Sequence, residues 1–393
     1  MTIEAPKEES VVLRHSQFLT DLDPVALRRA SLGERAEIRI CEPYSDCSIG
    51  LLDFSSHSTT NTFKDWVACV TIAFCLQEGI GEFVTQSSGN TGNALARYAS
   101  QQGIQLTVLY PRCSRYKIDP TLANRPGITF VELDKSEPEM GDLTREYSEY
   151  FGLPWLPNWD LQIQSNKIRA FFLQNYLAEK GQRFTWHVQS ISGGYGIFGF
   201  YQGLDEIRAL GLPEGEYFPR FLGVQQESVA PYFTYLEDST FTPTPDPLEP
   251  TLFRKEPPAE LLKKMKDLCA RSRGRITVLR DQEYHRNKKK LVPYLRRVGI
   301  ELGRLTSSQG TPVLEKSGQI ALLGAFSCID RGVIPRGDSV LVAFTGGAGS
   351  GRSAVFSPTL KLAKEEGPQE LLALGRGVRQ SPNHYSAISV PPT

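Results

Sequence analysis

The chain is short of the features that mark several common protein classes. It carries no net charge, with 44 Lys plus Arg against 44 Asp plus Glu in 393 residues, so there is no electrostatic case for a nucleic-acid partner. The strongest basic run, Arg286 with Lys288, Lys289 and Lys290, reads as a solvated face or loop. The seven cysteines are odd in number, scattered and free of any Cys-x-x-Cys pair. That pattern argues against a disulfide framework and a zinc ribbon and is the pattern of reduced thiols in a cytoplasmic protein. The five histidines, His15, His57, His187, His285 and His384, lack metal-ligand spacing. They read as structural or surface residues, except that His57 is near enough to Lys64 in sequence to be a candidate substrate contact. No apolar run is long enough to span a membrane, and the acidic, polar start does not read as a signal peptide.

What the chain does have is the length for a two-domain enzyme with a large core. A hydrophobic content of 40% with 22% charged residues is that of an ordinary soluble globular protein. After an arm to about Arg39 with a short helix over 23–33, helical spacing over 68–78 precedes a short buried strand at Phe83-Val84. A helix over 92–102 follows, then apolar strands over 106–110 and 128–133. Later come a strand over 184–191, a helix over 197–210 closed by Gly211, and strands over 220–225 and 339–344. Strands alternating with helices predict parallel sheets with helices on both faces. Six prolines between Tyr232 and Pro258 mark a loop-rich excursion.

Three glycine-rich turns are candidate sites. Gly194-Tyr195-Gly196-Ile197-Phe198-Gly199 fits Gly-x-Gly-x-x-Gly between a predicted strand and a predicted helix, which suits a phosphate at a helix start. The next strand ends at Gln225-Gln226-Glu227, too late for the acidic residue that a nicotinamide cofactor requires. An NAD-dependent oxidoreductase is therefore only a rival reading. Gly346-Gly347-Ala348-Gly349-Ser350-Gly351-Arg352-Ser353 imitates a P-loop, but Arg352 replaces the lysine. It reads as a plain turn after the strand over 339–344. Ser87-Ser88-Gly89-Asn90-Thr91-Gly92 places small polar groups at a helix start. This turn is either a seat for a carboxylate or simply a capped helix.

The order of these segments carries a resemblance. A Thr62-Phe63-Lys64-Asp65 segment, then Ser88-Gly89-Asn90-Thr91-Gly92, then a late glycine-rich loop, then a strand ending Thr345-Gly346-Gly347, resembles the fold-type II pyridoxal 5'-phosphate (PLP) enzymes. The likeness is greatest to the threonine synthases, with cysteine synthase and cysteate synthase as relatives, and covers about Ser58 to Gly347. It implies an α/β fold of two three-layer α/β/α domains with mostly parallel twisted sheets. The smaller domain would span 68–170 and carry the Asn90 loop. The larger, PLP-phosphate-binding domain would span 1–67 and 171–375, with a poorly ordered tail over 376–393.

The resemblance also implies roles. Lys64 would join PLP through a Schiff base and act as acid and base. Asn90 would bond the 3′-hydroxyl of PLP. Ser87, Ser88, Gly89 and Thr91 would hold the substrate carboxylate. Gly193, Gly194, Tyr195, Gly196 and Ile197 would cradle the cofactor phosphate. Thr345 would stand beside the pyridine nitrogen, and a neutral hydroxyl there favours elimination or replacement over transamination. A lysine in this role needs a lowered pKa, from burial or a nearby cation. The expected reaction is β- or γ-elimination or replacement on an activated amino acid, of the phosphohomoserine or O-phosphoserine type, by a homodimer. Two departures bear on the substrate. The stretch Leu156-Pro157-Asn158-Trp159-Asp160-Leu161-Gln162 lacks the arginine of the related segment, with Arg169 further on, and bulky Tyr195 stands in the phosphate loop. Glu315 lines up with a family segment in which a structural role is expected.

Overall fold

The computed structural model describes residues 10–56, 59–237, 240–244, 246–252, 254–300, 304–306, 312–346 and 357–380. Its strands are β1 (Glu37–Ile40), β2 (Ser48–Asp53), β3 (Glu82–Gln86), β4 (Gln105–Pro111), β5 (Ile128–Leu133), β6 (Trp186–Ser190), β7 (Arg220–Gln226), β8 (Arg275–Leu279), β9 (Arg304–Thr306), β10 (Pro312–Leu314), β11 (Ser339–Phe344) and β12 (Leu360–Leu362). One sheet has the order β1-β2-β11-β6-β7-β8, parallel except for the β1–β2 pair. The second, β12-β5-β4-β3, is parallel throughout. β9 and β10 form a separate antiparallel pair.

Alternation along the strands explains the layering. Parallel strands are covered on both faces and so read as nearly continuous apolar runs. On β11, Leu341 packs into one core cluster, and Val340 and Val342 into another. On the smaller sheet, Phe83, Leu106 and Val108 join the first of these clusters, while Val84, Leu109 and Val131 face a third. One core is therefore common to both sheets. The helices Lys64–Gln77, Asn90–Gln102 and Trp159–Lys180 contribute to it. Helix Ser317–Asp330 lies so close on β7 that a Cβ at Gly324 would come within 2.5 Å of Val224.

Several expectations shift. Strand β12 pairs with β5, and Leu371 and Leu372 of the helix Pro368–Arg379 pack into the core cluster of the smaller sheet. The segment 360–375, expected in the larger domain, thus joins the smaller sheet. Helix extends to Arg379 where a poorly ordered tail was expected from 376, and residues 381–393 lie outside the described residues. The basic run is on the exposed side of the helix Asp281–Arg297, as a solvated face should be. Gly211, at φ +62°, follows the helix Tyr195–Ala209 in the left-handed conformation that ends helices. Among the described residues, no helix is long and apolar enough to cross a membrane, and no side-chain group could hold a metal.

Candidate active site

In open α/β sheets the ligand crevice lies beyond the carboxyl ends of the strands. Here β3 runs into the Asn90 loop, β6 into the Gly194 loop and β11 into Thr345. All three, with Lys64, line one cavity of about 260 Å³.

Lys64 opens the helix Lys64–Gln77. Asp65 anchors that start by accepting the Thr60 N–H at 2.8 Å and the Thr60 hydroxyl at 2.5 Å, and a carboxylate there suits the helix dipole. The Phe63 N–H donates to the Thr345 carbonyl at 3.1 Å, and Thr62 makes a β-bridge with Gly346. Backbone pairing thus brings together two residues 281 positions apart, Lys64 and Thr345 (345 − 64). Lys64 is partly exposed, into the cavity it lines. Its Nζ stands 4.5 Å from the centre of the Phe63 ring. Burial, with a smaller effect of the Arg169 charge, pulls its pKa down from 10.5 to about 8.

The Asn90 loop has two faces. The Ser87 hydroxyl oxygen accepts the Gly92 N–H at 2.8 Å and the Gly89 N–H at 3.1 Å, and so caps the helix Asn90–Gln102. Its own hydrogen is left to donate to a ligand. The Asn90 amide donates to Glu315 at 3.0 Å, and buried Glu315 is also ion-paired with buried Lys117. Ser87, Ser88, Asn90 and Thr91 line the cavity. Gly89, at φ +130°, instead backs onto Lys117, where a Cβ would come within 2.7 Å.

The Gly194 loop has no side-chain cap. Gly194, at φ +84°, starts the helix Tyr195–Ala209. The Ile197 N–H is taken by the Gly194 carbonyl at 2.9 Å, so amides earlier in the turn must serve any anion. Gly199, third in the Gly-x-Gly-x-x-Gly pattern, serves packing: a Cβ there would come within 2.5 Å of Asn166. At the end of β7, Gln226 bonds the carbonyls of Glu249 and Leu252, and Glu227 just beyond it accepts the Asp281 N–H. Those groups serve the excursion loop and give no support to a nucleotide ribose site.

The comparisons with known proteins decide the family. The pyridoxal-phosphate dependent enzyme family matches residues 54–346. The chain belongs to this family. It is 24% identical to a threonine synthase from Mycobacterium leprae over 328 residues, 83% of each chain. Its fold is similar to that of maize serine racemase, with a TM-score of 0.59, 17% identity, and coverage of 84% of this chain and 96% of that one. It is also similar to diaminopropionate ammonia lyase from Escherichia coli, with a TM-score of 0.63, 15% identity, and coverage of 88% and 91%. This is a fold-type II PLP enzyme.

The residues fit the cofactor. A lysine with a depressed pKa stands in the cleft. Across from it is a helix N-terminus whose turn is too tight for side chains. A Cβ at Gly193 or Gly194 would come within 2.8 Å of Tyr195 or Phe198, which leaves backbone amides to meet a phosphate. Thr345 supplies a hydroxyl.

Several lining residues escaped the sequence reading. Arg254 and Glu137 face each other in the cleft, with Nε 2.9 Å from Oε1. Gln189, Trp155, Gln162 and Thr251 line it as well. The Thr251 carbonyl accepts hydroxyls from both Ser88 and Ser192 at 3.3 Å, tying the Asn90 loop to the glycine loop. Glu249 anchors this strap, accepting from Tyr116 at 2.9 Å, the Thr251 hydroxyl at 2.8 Å and the Lys316 N–H at 2.8 Å. Burial opposes its ionisation, but Lys117 and these bonds hold its pKa below the usual range. The only sequence signal was the proline-rich composition, which marked a loop without saying where it folds. His57 and Gly347 lie outside the described residues.

Proposed function

We propose that this protein is a PLP-dependent lyase or synthase that removes or replaces a leaving group at Cβ or Cγ of an activated amino acid, in the manner of the threonine synthases. The observation that carries the reading is that the Phe63–Thr345 backbone bond sets Thr345 next to Lys64 in one cavity: the strand end beside the lysine offers a hydroxyl rather than a carboxylate. PLP supplies the electron sink when bound. Lys64, with its pKa brought down from 10.5 to about 8 by burial and by Arg169, takes the Cα proton and returns one to the product. Ser87, Ser88 and Thr91, with the first amides of the helix Asn90–Gln102, would orient the substrate carboxylate, and Asn90 would contact the cofactor 3′-hydroxyl. Amides of Gly193, Gly194, Tyr195 and Gly196 hold the phosphate, and the Thr251 strap limits access of water. The identity of the curated relatives supports threonine-synthase-like chemistry.

A second reading, β-replacement on a substrate whose ester carries no phosphate, as in a cysteine synthase-like enzyme, is favoured by the Arg254–Glu137 pair. The arginine that lines the cleft already has a carboxylate partner. Turnover of phosphohomoserine, O-phosphoserine and O-acetylserine, assayed side by side, separates the readings. Phosphohomoserine turnover supports the first, acetylserine turnover the second, and transamination without loss of any leaving group overturns both. A homodimer and a cytoplasmic setting belong to the same proposal, and light scattering of the purified protein tests the dimer.

A further inference from the structure

Arg169 sits in the middle of the helix Trp159–Lys180 with none of its surface exposed. A guanidinium in the interior ordinarily lies on a carboxylate, because an unpaired buried charge is strongly disfavoured. Among the described residues Arg169 has no such partner. It donates to the Gly196 carbonyl at 3.0 Å and to the Gln189 side-chain oxygen at 2.8 Å, and its Nε is left without a bond. The guanidinium carbon stands 5.1 Å from the Phe54 ring centre, 5.3 Å from that of Phe63 and 5.7 Å from that of Phe200. Aromatic faces offset part of the charge and cannot neutralise it.

Both contacts lead to the cleft. Gly196 belongs to the glycine loop, and a Cβ there would come within 3.1 Å of the guanidinium and 3.2 Å of Phe63. The Lys64 Nζ stands 4.5 Å from the centre of the same Phe63 ring. One buried cation therefore holds the turn that receives a phosphate and, across a single ring, neighbours the reactive amine.

We propose that Arg169 is a positioning residue for the cofactor end of the cleft, a fixed buried cation that sets the glycine loop through Gly196 and is the counter-charge for the phosphate group seated there. Its repulsion of a second cation adds to burial in lowering the Lys64 pKa. The other ionised groups about the cleft are already engaged: Arg254 with Glu137, Lys117 with Glu315, and Asp65 with Thr60. His187, buried near Arg169, is kept neutral by burial and by the arginine itself.

The test uses cofactor-free full-length protein, as wild type, Arg169→Met and Arg169→Lys. Inorganic phosphate is titrated against thermal melting. Lys64 is labelled with a small aldehyde and borohydride at a series of pH values and quantified by peptide mass. We expect Arg169→Met to weaken phosphate binding by about tenfold or more and to raise the Lys64 labelling midpoint by the smaller, Arg169 part of its shift, with burial still keeping it below 10.5. Arg169→Lys should keep part of both effects. Wild-type phosphate affinity and labelling midpoint in Arg169→Met would overturn the proposal, even if melting fell, because a merely structural role lowers stability with and without phosphate alike. If Arg169→Met does not fold, two results remain decisive: Arg169→Lys with no residual effect of either kind, or wild-type protein that melts equally in phosphate and in chloride of the same ionic strength, overturns it.

Discussion

The two helix starts that face each other across the cleft are built in opposite ways. The helix Asn90–Gln102 is entered through polar side chains, and the Ser87 hydroxyl accepts the Gly92 amide of its first turn and the Gly89 amide just before it. The helix Tyr195–Ala209 is entered through glycines, has no side-chain cap, and has a buried cation beneath it. A seat that caps itself is stable when empty, which suits a ligand that comes and goes. A turn with uncapped amides over an unpaired guanidinium is complete only with an anion in place, which suits a cofactor that stays.

The largest expected effect removes the residue that the two seats share. Lys64→Ala should abolish the borohydride-sensitive absorption of the holoenzyme and lower turnover by about a thousandfold or more, while phosphate still stabilises the cofactor-free protein. Next, Gly194→Val attacks the glycine side alone. A β-branched residue at φ +84°, meeting Phe198, is strained whatever its surroundings. Cofactor affinity should fall by about tenfold to a hundredfold, read by PLP release on dialysis, with little change in substrate KM once PLP is saturating.

A third prediction follows the Lys64 amine. Its pKa is lower in the folded protein than in the unfolded chain, so between about 8 and 10.5 the unfolded chain binds more protons. Stability of the cofactor-free wild type should therefore rise with pH across that window, relative to Lys64→Met, while below it the two should run parallel, the wild type carrying the full penalty of the buried charge. Denaturant melts of the two proteins at matched pH check the sign. The smallest effect is on the Asn90 side. Ser87→Ala removes a cap worth about 1 kcal/mol, which should lower Tm by about 1–2 °C and raise substrate KM without releasing PLP. Loss of PLP on Ser87→Ala would erase the contrast between the two seats.

The difference between the seats also marks how far the chain could be read unaided. Strands such as β4 and β11 were legible because a parallel strand buried on both faces is a continuous apolar run. The turns at Gly194 and Asn90 were legible because few residue types tolerate their backbone or cap a helix start. Gly199 was misleading, since a glycine that admits a phosphate and a glycine that admits a neighbouring helix look alike in sequence. Strand β12 was missed because three residues carry no period, and its place beside β5 depends on a partner more than two hundred positions earlier.

Composition, strand–helix alternation and glycine placement determined by themselves the α/β class and the candidate loops, and the resemblance carried by the order of motifs pointed to the PLP family, because those signals are local in the chain. Only the tertiary structure decided that Thr345 stands beside Lys64, that the proline-rich excursion returns as a strap anchored by Glu249, and that Arg169 lies buried without a carboxylate. Each depends on which distant groups share a desolvated space, and the cost of burying a charge or an amide is set by its neighbours in that space rather than by its neighbours in the chain.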